Sequence, residues 1–244
     1  DQAALNIKLK NTYTFTGQAH LGSGFSPLLW DANITPMLFT KKKQMLATYQ
    51  ANNTGDNVAS QLKKLTIEDL LNQFENNSEK TDWLSIQQLT TPNFSEKRWL
   101  DNNIHLLSGN YLHKLKSDYE LRVNASYLND YQQQNGFTNT EFITPSNTIT
   151  ILEEKQNHFF FNSLQTNITL QKNADKNYFK NSLEFQGFWD SQRGTILLNN
   201  QQLKQQLNND FFRISNHLKN IFPLGKQMIT LNSYIGLNKT PQTL

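Results

Sequence analysis

Residues 119 to 127 read YELRVNASY, and every second side chain is apolar. Tyr119, Leu121, Val123, Ala125 and Tyr127 share one parity; Glu120, Arg122, Asn124 and Ser126 share the other. Side chains alternate across a β-strand, so a period of two marks a strand whose faces meet different media. The same period recurs along the chain. Tyr13, Phe15, Gly17, Ala19 and Leu21 oppose Thr14, Thr16, Gln18 and His20. Leu28, Trp30, Ala32, Ile34, Pro36 and Leu38 oppose Asp31, Asn33 and Thr35, and Met45, Ala47, Tyr49 and Ala51 share a parity. Leu107, Gly109, Tyr111 and Leu115 do so less cleanly. Phe160, Leu164, Ile168 and Leu170 follow, then Phe179, Leu183, Phe185 and Trp189. Phe212, Ile214 and Leu218, and finally Ile229, Leu231, Ile235 and Leu237, complete nine strand candidates.

The connections alternate in length. Thr40–Lys43, Lys116–Asp118, Lys172–Lys176 and Pro223–Lys226 are tight polar turns. Between them lie residues 54–103, about 141–157 and about 190–210, which read as long loops, while Ser23–Pro27 is a short link on that same side. Sorting of short turns to one end and long loops to the other is the habit of outer-membrane barrels. The longest loop carries a helix signal in TIEDLLNQF. Thr66 stands where a cap is needed, with Asp69 three residues on, and Ile67, Leu70, Leu71 and Phe74 follow helical spacing.

Two media fit the apolar parity: the core of a soluble antiparallel protein, or lipid. Three features favour lipid. Phe179 and Trp189 share a face ten residues apart. At about 3.3 Å per residue that is roughly 33 Å, which a strand tilt near 40° reduces to about 25 Å, the height of a barrel's apolar band. Tyr13, Tyr119, Phe179 and Phe222 lie at the tight-turn end, whereas Trp30, Tyr49, Tyr127 and Trp189 lie at the loop end. Two aromatic belts suit two membrane interfaces. The polar parity also persists strand after strand, as a water-filled or plugged lumen requires. The expected architecture is an all-β, antiparallel transmembrane β-barrel fragment of about nine strands, with short periplasmic turns, long extracellular loops and one short loop helix. Nine strands do not close a bacterial barrel, in which the number is even, so the chain reads as part of a longer one.

Composition removes other classes. There is no cysteine, hence no disulfide and no thiolate metal site. A net charge of +3 is too small to imply nucleic acid. Mean hydropathy is −0.65, yet aromatics reach 11 % and charged residues only 18 %, so the polarity comes from Asn, Gln, Ser and Thr, which a wet strand face tolerates. His20, His105, His113, His158 and His217 form no HxH or HxxxH pair, and no metal site is expected. Gly22-Ser23-Gly24 lacks the rest of a phosphate-binding loop, and no G-x-S-x-G is present. Neither an enzyme nor a cofactor is expected. Asn-x-Ser/Thr at Asn124 and Asn167 falls inside expected strands.

Asp190, Gln192 and Arg193 stand at the loop end of a strand beside Trp189 and are candidate ligand contacts at an extracellular rim, against the plainer reading of a loop anchor. Glu120, Arg122, Glu184, Arg213 and Lys219 fall on the polar parity and are expected to face the lumen.

ALNIKLKNTYTFTGQAHLG (residues 4–22) resembles the junction of a TonB-dependent outer-membrane receptor, where the last plug strand gives way to the first barrel strand. LLWDANITPMLF, NSLEFQGFWDSQRGTI and FPLGKQMITLNSYIGLNKTP resemble barrel segments of the Bacteroidetes branch of that family. The resemblance implies that residues 1–11 end a plug domain and 12–244 form part of a barrel of about 22 strands, with 54–103 a long extracellular loop. It implies import of a large nutrient (an iron chelate, cobalamin, glycan or peptide) across the outer membrane of a Gram-negative bacterium, driven by TonB. The implied partners are the TonB complex through the missing plug, a surface lipoprotein and outer-membrane lipid. The rival reading is a soluble β-sandwich module that binds a glycan or a protein.

Overall fold

The computed structural model describes residues 13–59, 80, 82–145, 147–174, 177–199 and 201–243. The loop-helix expectation at 66–74 and the plug-end expectation at 1–11 lie outside the described residues. The chain forms β1 (Tyr13–Gly24), β2 (Leu29–Thr40), β3 (Lys43–Asn52), β4 (Asp101–Lys114), β5 (Tyr119–Ile143), β6 (Thr148–Ala174), β7 (Asn177–Leu198), β8 (Gln201–Leu224), β9 (Gln227–Lys239) and β10 (Gln242–Thr243). All nine expected strands are present, and the two-residue β10 is additional. They make one sheet in sequence order, every neighbour antiparallel; β9 and β10 both pair with β8. Among the described residues the sheet is not closed: β1 forms one edge, and β9 with β10 the other. Among the described residues no helix is long and apolar enough to cross a membrane, which leaves open crossing by strands.

The pairing register aligns the two parities across the whole sheet. One continuous row runs Phe15–Leu38–Met45–Tyr111–Val123–Ile168–Leu183–Asn216–Ile235. The next runs Thr16–Met37–Leu46–Asn110–Asn124–Asn167–Glu184–Ser215–Gly236 on the opposite face. A slip of one residue anywhere would exchange the faces. The apolar face is the uncovered one. Leu107, Tyr127, Ile168, Leu183 and Ile214 sit on strands paired on both sides, yet each keeps 37–53 % of its surface exposed. The buried clusters lie on the other face, toward the loop end. Ile104 and Leu106 pack with Val58, Ala59 and Leu128, while Phe159 and Leu207 pack with Ile86 and Phe161.

Residues 141–157 and 190–210, expected as long loops, are mostly strand. β5 has 25 residues and β6 has 27, with the reversal between Ile143 and Thr148; β7 has 22 and β8 has 24, with the reversal between Leu198 and Gln201. The β5–β6 ladder is continuous from Tyr119↔Lys172 to Ile143↔Thr148. Period two is visible only while the two faces meet different media. Past Tyr127 the sequence continues LNDYQQQNGFTNTEF, polar on both parities, so the contrast vanishes although backbone pairing does not. Residues 101–103, placed in the longest loop, open β4. The described remainder of that loop has no strand; it has 3-10 residues at 58–59 and a one-turn 3-10 helix at Glu96–Arg98.

Candidate functional site

Beyond the level of Tyr127 and Trp189, toward the ends of the long hairpins, the polar face forms a wall rich in amides and carboxylates. One row places Asn102, Gln132, Phe159, Gln192 and Leu207 side by side across β4 to β8. The next row up places Gln134, Asn157, Gly194 and Gln205 across β5 to β8. Below them Asp190 pairs with Asn209, which pairs with Gln242 of β10. The β6–β7 ladder is interrupted here: the Asn162 amide donates to Asp190 Oδ1 at 3.0 Å, and Asn162 Nδ2 to the Trp189 carbonyl at 3.3 Å. Side-chain bonds thus replace ladder bonds, and Asp190 is fixed by a neighbouring strand.

Part of the long loop lies against this wall as a strap. Ile86 is buried between Phe159 and Leu207. Lys80 pairs with Asp190, and also with Asp82 at 3.2 Å. The Ile86 amide donates to Gln192 Oε1 at 3.3 Å and the Gln87 amide to Gln205 Oε1 at 3.0 Å, while Asn157 Nδ2 donates to the Gln87 carbonyl at 3.0 Å. Asn209 Nδ2 donates to the Leu84 carbonyl at 3.4 Å, and the Trp83 amide to Gln242 Oε1 at 3.1 Å. Close approach depends on two glycines. A Cβ on Gly194 would stand 3.0 Å from Asn157 Oδ1 and 3.2 Å from Ile86 Cδ1, and one on Gly136 would stand 2.9 Å from Leu89 Cδ2. Farther along, Asn57 Nδ2 donates to Glu96 Oε1 at 3.3 Å and Lys97 pairs with Asp56 at 2.9 Å, tying the strap's end to the start of the loop.

Burial dominates the wall's electrostatics. Asp130 is pushed up to about 6 by desolvation; Gln132, donating at 2.7 Å, opposes this, and the Glu96 carboxylate adds to it. Asp190 is raised in the same sense by burial, against the pull of Lys80 and the Asn162 amide. Among the described residues, Asp130 Oδ1, Gln134 Oε1, Asn157 Oδ1 and Asn209 Oδ1 are buried acceptors with no donor. No group of three or more His, Cys, Asp or Glu is gathered as a metal site among the described residues. What the wall offers is hydrogen bonding with a buried apolar seat.

The three candidate rim residues do not converge. Asp190 and Gln192 are buried in the wall and hold the strap. Arg193 has the other parity: it is exposed on the apolar-face side, its guanidinium 5.6 Å from the Phe160 ring centroid. Consecutive strand residues face opposite ways, so a three-residue cluster in sequence is divided by the sheet. Beside Arg193, the Tyr131 hydroxyl meets His158 Nδ1 at 2.7 Å. Glu120, Arg122, Glu184, Arg213 and Lys219 all lie on the polar face, nearer the tight-turn end. Arg122 Nε meets Glu120 Oε1 at 2.5 Å, Glu184 accepts from Asn167 at 3.1 Å, and Arg213 donates to the Tyr234 hydroxyl at 2.9 Å. Lys219 stands opposite Lys180. Glu120, Arg122, Glu184 and Arg213 form local contacts, and the five do not gather into one site.

Sequence reasoning missed Lys80, Ile86, Asn157, Gln205, Asn209 and Gln242. Asn and Gln were abundant on both parities, and no short motif announces an amide that grips a distant backbone. Searches with the whole chain find no protein-family model that matches it and no curated protein that matches it.

Proposed function

We propose that this chain is part of the barrel of a TonB-dependent outer-membrane receptor that imports a large nutrient. The observation that carries this is the exposed apolar face on centrally placed strands. A soluble sheet buries that face against a second layer, and exposed apolar area on this scale marks a surface made for another apolar medium. On this reading the apolar face meets lipid, Tyr13, Tyr119 and Phe179 belong to the periplasmic belt, and Tyr127 and Trp189 to the outer one. The polar face lines the lumen, and the long hairpins β5–β6 and β7–β8 rise beyond the membrane. The edges support "part of". Among the described residues, the outer sides of β1 (12 residues) and β9 (13 residues) have no strand partner. In hydrocarbon each unpaired backbone group costs several kcal/mol, so a membrane sheet must continue beyond both edges until it closes. Partners on this reading are the TonB complex, outer-membrane lipid and a surface lipoprotein; the chain performs no catalysis.

The test is secretion of the chain in a Gram-negative host, followed by fractionation. Recovery in the outer membrane, released only by detergent, is the expected result. A monomer soluble without detergent overturns the proposal in favour of a binding module. TonB coupling is read separately: uptake by the intact receptor falls to background when TonB is deleted, and uptake that persists removes the energy-coupled part of the proposal.

A further inference from the structure

The strap is held by its backbone. Five hydrogen bonds join the backbone of the five consecutive residues 83–87 to the wall: three amides donate and two carbonyls accept. Every partner is a side-chain amide, of Asn157, Gln192, Gln205, Asn209 or Gln242. Of residues 82–88 only Ile86 is buried, at 1 % exposure, whereas Trp83 is 81 % exposed. A primary amide carries both a donor and an acceptor, so a field of them matches the alternating N–H and C=O groups of any polypeptide. The side chains of the strap mostly point away. One other side chain of this segment touches the wall, Gln87 Nε2 donating to Glu153 Oε1 at 3.1 Å at its exposed margin, so the wall reads chiefly main chain plus one aliphatic side chain.

We propose that this wall is a peptide-binding site and that residues 83–87 occupy it as an internal surrogate ligand. The class of ligand is a peptide with an aliphatic residue for the Phe159–Leu207 seat and otherwise loose sequence demands. This narrows the nutrient class named above and rests on that reading for its biological meaning, but the binding itself does not. Sugar hydroxyls also donate to amide oxygens, so the choice of a peptide rests on what occupies the wall: Gln192 Oε1, Gln205 Oε1 and Gln242 Oε1 accept backbone N–H groups. The buried, donorless Asn157 Oδ1 and Asn209 Oδ1 belong to the same two asparagines that hold the strap's carbonyls. The strap thus leaves hydrogen-bonding capacity unused, which a ligand with more donors can take up. Release of the strap uncovers the site, and a peptide competes with it for the same amides.

The test uses the full chain in detergent and a fluorescent acetylated, amidated octapeptide, Asp-Trp-Leu-Ser-Ile-Gln-Gln-Leu, the sequence of residues 82–89. Two variants vacate the site: Ile86→Asp, and replacement of 82–95 by a Gly/Ser stretch of equal length. Both are expected to bind the peptide saturably and at least tenfold more tightly than the wild type, whose strap is in place. Adding Gln192→Leu and Gln205→Leu removes two acceptors and weakens binding at least tenfold. A peptide with Asp for its Ile does not bind, and unrelated octapeptides keeping Ile or Leu there bind within tenfold of the first. Absence of binding by both vacated variants, when their circular dichroism still shows the sheet, overturns the proposal. So does binding indifferent to the two glutamines, or binding confined to the chain's own sequence, which makes the strap a lock only. Failure of the membrane reading shows independently, as a wild-type chain that needs no detergent.

Discussion

Val123→Arg and Asn124→Arg place the same side chain at adjacent positions on opposite faces. Val123 lies in the apolar row between Ile168 and Tyr111, four residues from Tyr119 and four from Tyr127. On the proposed membrane reading, at about 3.3 Å per residue and a tilt near 40°, each of these tyrosines is roughly 10 Å away along the membrane normal, which puts Val123 at the midplane. An arginine there costs about 2–4 kcal/mol, less near the belts, where it snorkels. At about 1.4 kcal/mol per decade, the folding equilibrium falls roughly 30- to 700-fold. Asn124 faces the polar row, beside Asn110 and Asn167, with Glu184 one strand farther. Arginine there meets water and a carboxylate, and its effect stays within about 0.5 kcal/mol. The assay is urea unfolding in lipid vesicles, followed by loss of protease protection. Val123→Arg shifts the midpoint down by the full amount and Asn124→Arg leaves it in place. Equal midpoints, or a Val123→Arg protein that becomes water-soluble and folded, refute the assignment of the apolar face to lipid.

Other outcomes follow from the wall. Asp130 has a folded pKa of about 6, above its ordinary 3.8, so the folded state binds the proton more tightly. Stability therefore rises as pH falls from 7 through 6 and levels off near the unfolded value; protection factors of the amides of residues 82–100, taken relative to intrinsic exchange at each pH, are higher at pH 5 than at pH 7.5, and Asp130→Asn reduces that difference. Gly194→Val pushes against Asn157 and Ile86, so protease cleaves the strap faster while assembly of the sheet is unchanged. Leu106→Ala, in the buried cluster with Ile104 and Val58, costs about 2–5 kcal/mol in the same urea titration. Deleting residues 60–98 spares membrane assembly and alters ligand capture; loss of the sheet on deletion contradicts its loop assignment.

How far the sequence could be read depended on contrast between media. YELRVNASY declared its strand because Leu121 and Arg122 meet opposite environments, and the register then placed Leu121 opposite Leu170 and Arg122 opposite Thr169. The long hairpins were illegible for the converse reason. Gln132, Gln133 and Gln134 carry no period, yet all three stay in the ladder, opposite Phe159, His158 and Asn157. A backbone ladder persists wherever a partner strand is present, whereas a hydrophobic period persists only where one face is dry. The amide wall sits in the region where the second condition fails and the first still holds. Its pieces come from β6, β7, β8, β10 and the strap, separated by as many as 159 residues between Trp83 and Gln242. Each is an ordinary polar residue in its own neighbourhood; only the register brings Asn157, Gln192 and Gln205 to one face in adjoining rows. In a sheet of this kind the apolar rows report the medium and can be read locally. The binding rows report a partner, and the one backbone they demonstrably accommodate is a polypeptide's.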